Sequence, residues 1–186
     1  DLDPGYQADL AANLARRALQ EEPENAALKA AASHVFLLTG QDFLAAGELA
    51  RDATALNPAN PLAWASRANA EIAAGQIEAS VGFSRRALQI GRFSRSRHWW
   101  EMQAGVSAAL AGNFEEARVH SRMAHSLVPS FRPPLRYLAA LEHQRGDGDA
   151  MEQLVEKIRD LEPGFEIKDL AEPEYPSGNL RRAGLA

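Results

Sequence analysis

The stretch GVSAALAGNFEEARVHSRMAHSLVP, residues 105–129, carries the clearest structural pattern of this chain. Small apolar residues recur at steps of three and four on both sides of Gly112, which is the spacing of one helix face. Gly112 followed by Asn113 is typical of a tight turn between two helices. Pro129 cannot continue the second helix, because proline lacks a backbone donor and its ring clashes with the preceding turn. The stretch therefore predicts an antiparallel pair of helices.

The same pattern recurs along the chain. Glycines stand at four positions with a period of about 35 residues, which is typical of helical repeats: Gly40, Gly75, Gly112 and Gly146. Prolines follow three of these glycines by about half a period, and a further one precedes the first glycine: Pro58, Pro129, Pro163 and Pro23. After Gly75 the expected proline is replaced by Arg92. Neither helix of such a pair can bury its apolar face alone, so successive pairs must stack to form a core.

This pattern resembles the tetratricopeptide repeat (TPR), in which large and small residues occupy fixed offsets around the turn glycine. The resemblance is closest at Gly105, Gly112, Phe114, Ala117, Ala124 and Pro129. One repeat earlier it is carried by Trp64, Ala68, Gly75, Ser80 and Ala87. The resemblance implies an all-α fold, a right-handed superhelix of antiparallel helix pairs.

The predicted domain organisation is one solenoid over 1–163 and a tail over 164–186. The solenoid consists of a half repeat at 6–22 and full repeats at 25–58, 60–92, 95–129 and 132–163. The repeat at 25–58 fits the pattern only if its second helix is shifted by one residue. The half repeat is expected to be a lone second helix, whose first helix would lie upstream of Asp1. The tail either caps the last repeat or lies in the groove, and we favour the cap because terminal repeats generally need one.

The composition excludes several classes of protein. Of the 186 residues, 46% are hydrophobic and 24% charged, as in globular proteins and unlike disordered chains. No apolar run approaches the roughly 20 residues that span a bilayer, and the chain lacks Cys, which excludes disulfides and thiolate metal sites. A formal net charge of −5 argues against direct contact with nucleic acid. We therefore expect the basic cluster between Arg85 and His98 to be solvated or to face an acidic protein surface.

Motifs for catalysis, phosphate binding or metal binding are absent from the sequence. Glu116 and His120 are four residues apart and can share a helix face, but two ligands do not make a metal site. No group of polar residues converges as an active site requires. We therefore expect no catalytic residue, no cofactor and no metal, and a function that is not enzymatic.

In the TPR family the first helix of each pair lines the concave groove that binds a partner. Carrying those positions over residue by residue gives a predicted partner-binding groove: His34, Asn69, Trp99, Met102, Gln103, Arg136, Tyr137 and His143. Aromatic, Met and Arg side chains are enriched in protein interfaces, so a protein or peptide partner is expected. The alternative for Trp99 is packing between repeats.

Three short stretches indicate a biological context. SHVF at 33–36, LNPANPLAWA at 56–65 and YP at 175–176 with LRRAGL at 180–185 are similar to C-terminal repeat regions of bacterial signalling proteins, in which a TPR array follows an output domain. The resemblance implies the regulatory region of a cytoplasmic transcriptional regulator, which binds a partner segment or its own output domain. Two alternatives stay open, the accessory region of a class III nucleotide cyclase and a self-associating module that forms a homodimer.

Overall fold

The computed structural model describes residues 4–166, with side chains from residue 7 onward, and the regular structure in this range is entirely α-helical. The helices are α1 (Pro4–Glu21), α2 (Ala26–Thr39), α3 (Phe43–Leu56), α4 (Pro61–Ala73), α5 (Ile77–Gly91), α6 (Arg97–Leu110), α7 (Phe114–Leu127), α8 (Pro133–Arg145) and α9 (Gly148–Leu161). The chain divides into two compact units between Gly91 and Arg92. Within the described range, no helix is long and apolar enough to cross a membrane. The prediction of an all-α fold is confirmed for these residues.

Three of the four helix hairpins close through the same glycine turn. Gly75, Gly112 and Gly146 have φ angles of 79°, 75° and 83°, in the left-handed region where a side chain is strained. The residue after each glycine donates its backbone N–H to the carbonyl five residues earlier, at 2.8–3.0 Å. This bond satisfies a carbonyl that the helix end would leave unpaired. The next helix then begins two residues after the glycine.

The fourth hairpin, between α2 and α3, contains one residue more. Gly40 has a φ of 67°, as in the other turns, but α3 begins at Phe43, three residues later. The additional residue is Asp42, which has a φ of 44° and caps α3 by accepting a hydrogen bond from the Ala45 N–H at 3.0 Å. The inserted Asp42 explains the one-residue shift in the predicted repeat at 25–58.

Four helices end just before prolines, as the sequence predicted. Four helices stop two residues before a proline: α1 before Pro23, α3 before Pro58, α7 before Pro129 and α9 before Pro163. In α5, Arg92 stands where proline is expected, and this helix continues to Gly91. It has 15 residues, one more than α3, α7 and α9. Where the proline is missing, the helix is one residue longer, while α3, α7 and α9 keep the same length.

In the first unit, α1–α5, small residues let neighbouring helices pack closely. One buried cluster joins three successive helices through Ala30, Ala53 and Ala63. The buried Ser33 Oγ donates to the Ala46 carbonyl at 2.7 Å and ties α2 to α3. Ser66 Oγ donates to the Ala30 carbonyl at 3.2 Å and ties α4 to α2. These serines add directional bonds to an otherwise apolar interface.

In the second unit, α6–α9, the closest helix approach is at Gly105. A Cβ there would lie 3.1 Å from Ser121 Oγ and 3.4 Å from the Ala117 carbonyl, so a side chain would crowd α7. A buried cluster of α8, α9 and the following loop consists of Leu135, Ala139, Val155, Ile158 and Phe165. The predicted tail therefore begins in contact with the last repeat. Residues 167–186 lie outside the described part of the chain, and the cap stays a prediction.

Candidate functional site

An aromatic cluster lies at the N-terminal end of α6. The ring centroids of Trp99 and Phe131 are 4.7 Å apart, and His98 meets Phe131 edge-on at 5.1 Å. Trp99 is 41% exposed, so the cluster presents apolar surface to solvent. Phe131 is not among the predicted site residues, because its only signal in the sequence is a large apolar residue in the loop between two helices. The cluster brings together side chains from the start of α6 and from the loop that follows α7.

The loop before α6 carries further exposed basic and aromatic side chains. Phe93 is 87% exposed, and the Arg92 guanidinium lies 4.6 Å from its ring centroid. Trp100 Nε1 donates to Ser94 Oγ at 2.9 Å and holds this loop against the first turn of α6. Arg95 is exposed as well. Arg92 and Arg95 of the predicted basic cluster therefore lie in solvent, next to the exposed ring of Phe93.

The buried carboxylate of Glu101 links the N-terminal part of α6 to α7. Glu101, with a side chain only 4% exposed, accepts hydrogen bonds from Arg97 Nε and a terminal guanidinium nitrogen at 3.0 and 2.9 Å. Its other oxygen lies 2.8 Å from His120 Nδ1. Burial alone would raise the pKa of Glu101, but the hydrogen bonds from His120 and Arg97 outweigh it and hold that pKa below its usual range. The network positions the helix segment that carries Trp99.

His120 does not complete a metal site. Its Nε2 lies 3.7 Å from a Glu116 oxygen, the pair that the sequence placed on one helix face. Within residues 4–166, no group of three or more His, Asp or Glu side chains is arranged to hold a metal ion. The arrangement around Glu101 is accordingly an ion-pair network between two helices.

In the first unit, two predicted groove residues are half-buried on neighbouring first helices. His34 lies on α2, and burial lowers its pKa, which favours the neutral imidazole near pH 7. Asn69 lies on α4, and its Oδ1 has no hydrogen-bond partner among the described residues. The side chains of His34 and Asn69 are therefore polar and uncharged near pH 7.

Solved structures resemble this chain over most of its length. TTC0263, a thermophilic TPR protein of Thermus thermophilus, is 21% identical with a TM-score of 0.73, and the match covers 97% of this chain and 94% of that one. PilW, a widely conserved type IV pilus biogenesis factor, is 16% identical with a TM-score of 0.74, covering 97% and 83%. YrrB, a TPR protein with an unusual peptide-binding site, is 14% identical with a TM-score of 0.61, covering 86% and 80%. No protein-family model and no curated protein matches the sequence. The chain has a TPR fold.

The helices of this TPR solenoid place the eight predicted groove residues in three environments. Trp99 and His143 are exposed, while His34 and Asn69 are half-buried. The other four are buried: Met102, Gln103, Arg136 and Tyr137. Arg136 forms an ion pair with Glu162, and its guanidinium lies 4.8 Å from the Phe165 ring centroid. The partner-binding role of the eight residues stays a prediction, and the accessible aromatic surface among them is at Trp99.

Proposed function

We propose that this TPR region is a non-catalytic module that binds a segment of a protein partner, with Trp99 as the central contact. The supporting observation is the exposed ring of Trp99 in contact with His98 and Phe131. Trp is enriched among the few residues that dominate binding energy at protein interfaces. Because the two neighbouring rings already restrict Trp99, binding costs less side-chain entropy.

The partner segment is proposed to be acidic and to carry at least one large apolar side chain. Arg92 and Arg95 are exposed in the loop that precedes the aromatic cluster, and Phe93 between them is exposed as well. Carboxylates on the partner would meet these arginines, while an apolar side chain would pack on the rings. Complementary charge of this kind raises the association rate and favours one class of partner over others.

The proposed context is the regulatory region of a cytoplasmic bacterial transcriptional regulator. Support comes from the stretches at 33–36, at 56–65 and at 175–176 with 180–185, which are similar to repeat regions that follow an output domain. The partner would be another protein or the output domain of the same chain, and this region would not itself contact nucleic acid. The accessory region of a class III nucleotide cyclase is the alternative that the same stretches support. A winged-helix sequence upstream would favour the first context, and a cyclase domain the second.

Self-association is a second candidate function, favoured by one observation. Leu10 and Leu14 on α1 are 43% and 54% exposed and lie four residues apart, so they share a helix face. A second copy that packed on this face would form a homodimer. Sedimentation equilibrium of the full chain and of Leu14→Lys tests it, since a dimer built on this face would dissociate in the variant.

The proposed partner contact is tested by selecting ligands from a phage-displayed library of random short peptides with the full chain. We expect the enriched peptides to share acidic residues around an apolar one. Trp99→Ala should weaken their binding about 30-fold in isothermal titration calorimetry, the loss expected of an interface hot spot. Val119→Ala, which removes apolar surface that is 62% exposed on α7, should change it less than twofold. Equal affinity for the wild type and Trp99→Ala would refute the proposal.

A further inference from the structure

A concave site lies in the first unit, between α1 and α3. It is a cleft of about 380 Å³, which is the low end of the roughly 300–1,000 Å³ typical of ligand pockets. Its walls come from α1 and α3. The buried Phe36 of α2 is among its lining residues. None of its lining residues belongs to the aromatic cluster around Trp99 or to the eight predicted groove positions.

The interior of the cleft is apolar. Leu19 of α1 and Leu49 of α3 are half-buried and line it together with Phe36. The Arg16 guanidinium lies 5.2 Å from the Phe36 ring centroid. It also donates a hydrogen bond to Gln41 Oε1 at 3.0 Å, which holds it in place. The Arg16 side chain thus lines the cleft and packs against the Phe36 ring.

The rim of the cleft on the α3 side is acidic. Asp42, Glu48 and Asp52 all line it, against the single positive charge of Arg16. Asp52 already accepts a hydrogen bond from Lys29 Nζ at 2.7 Å, and Asp42 caps α3. Glu48 is exposed and forms no ion pair with any residue in the range 4–166. With Asp52 paired to Lys29, the carboxylates of Asp42 and Glu48 outnumber the guanidinium of Arg16 among the lining residues.

An exposed leucine extends the apolar surface beyond the cleft. Leu44 is 85% exposed and stands four residues before Glu48, on the same face of α3. The face that adjoins the cleft thus carries an exposed apolar residue, a carboxylate and the half-buried Leu49. Apolar side chains spaced along a groove that is flanked by helices match the way an amphipathic helix docks.

We infer that the α1–α3 cleft binds an amphipathic helix of a partner protein, which inserts one aliphatic side chain over Phe36 and presents a Lys or Arg to Glu48. The apolar lining accounts for the aliphatic anchor, and the excess of carboxylates on the rim accounts for the basic neighbour. An acidic ligand would meet the carboxylates of Asp42 and Glu48, opposed by the one guanidinium of Arg16. The inference does not depend on the function proposed for Trp99.

The test uses the full chain and two synthetic peptides, labelled with fluorescein and each about 15 residues long, so that an alanine-rich sequence can form a helix. One carries Leu and Arg four residues apart, and the other carries Glu in place of Arg. We expect only the Leu–Arg peptide to bind in fluorescence anisotropy, and its affinity to fall with added salt. In ¹⁵N-labelled protein, the amide shifts that it causes should fall on α1 and α3, with Leu19 and Leu49 among them.

Three variants make the test specific. Glu48→Arg should weaken the Leu–Arg peptide by about threefold to tenfold, as expected for reversing one exposed charge. Glu152→Arg makes the same change at an exposed position of α9 and should have less than a twofold effect. Trp99→Ala should also leave this peptide unaffected, which separates the cleft from the surface proposed above. Circular dichroism checks that each variant keeps its helix content.

Two results would overturn the inference. One is equal affinity for the Leu–Arg and Leu–Glu peptides, including no binding of either, since the rim would then not select a basic ligand. The other is a dimer of the full chain in sedimentation equilibrium that Glu48→Arg dissociates. The occupant of the cleft would in that case be a second copy of this chain.

Discussion

Replacing the buried Glu101 by glutamine is expected to destabilise the protein by about 2 kcal/mol at pH 7. Glutamine keeps the shape of the side chain but removes the charge that faces Arg97 and His120. Glu101 accepts hydrogen bonds on both oxygens, whereas the amide has one acceptor oxygen and no charge, so the contacts with Arg97 and His120 each lose on the order of 1 kcal/mol. The share from Arg97 is at the lower end, because its side chain is 38% exposed and can be rehydrated.

The loss in free energy of unfolding can be measured by urea denaturation, and the fall in Tm by thermal denaturation, both followed by circular dichroism in the far ultraviolet. For a chain of this length, a loss of about 2 kcal/mol corresponds to a fall in Tm of about 4–8 °C. Glu116→Gln is the matched control, since it removes a carboxylate that lies 3.7 Å from the same histidine but is 30% exposed. We expect the control to stay within about 0.5 kcal/mol of the wild type, as surface ion pairs contribute little.

The pH dependence gives an independent check on the same carboxylate. The pKa of Glu101 is lowered in the folded state, so its charge stabilises the fold above the ordinary pKa of 4.5. That stabilisation is lost as the pH falls through the lower folded pKa, because the group must then bind a proton. The difference between wild type and Glu101→Gln should therefore shrink as the pH is lowered from 7 toward 3. A difference at pH 7 below about 0.5 kcal/mol, the size expected of an exposed pair, or one that is constant with pH, would refute the assignment.

Three further substitutions test the helix packing. Gly82→Ala in α5 should stabilise the protein by about 1 kcal/mol in urea denaturation, because Gly82 has no atom within 4 Å of an added Cβ. Gly105→Ala gains the same helix propensity but crowds Ser121, so it should be less stable than Gly82→Ala by about 1–2 kcal/mol, and equal stabilities would contradict a close α6–α7 contact. Ser33→Ala should cost about 1 kcal/mol in thermal unfolding, because it removes the 2.7 Å hydrogen bond to Ala46, and no change would show that this bond adds nothing.

The turns and helix ends could be predicted from sequence because each depends on a local backbone requirement. Gly75, Gly112 and Gly146 adopt left-handed φ angles, and a residue with a Cβ would be strained there. The prolines that follow α1, α3, α7 and α9 also act on the local backbone, since each of these helices stops two residues before its proline. Arg92 supports this interpretation, because the helix continues where proline is missing.

The candidate site was less accessible to sequence analysis. Glu101 was not selected, because its burial depends on His120, which lies 19 residues away on the next helix. Phe131 joins the aromatic cluster only through the path of a loop between two helices. Met102 and Tyr137 stand at family groove positions yet are buried, since exposure at such a position depends on the tertiary contacts around it. The cleft over Phe36 likewise requires three helices to be in place.

The additional residue in the α2–α3 hairpin lengthens the repeat without changing which side of each helix is buried. Inserted inside a helix, one residue would rotate all later side chains by about 100° and turn their buried face toward solvent. Here the left-handed Asp42 takes up the insertion before α3 begins, and Ala46 still meets Ser33. A solenoid built this way can lengthen a repeat at its hairpin while every helix keeps its own buried side. Insertions and deletions in related repeats should accordingly concentrate between the turn glycine and the cap of the following helix.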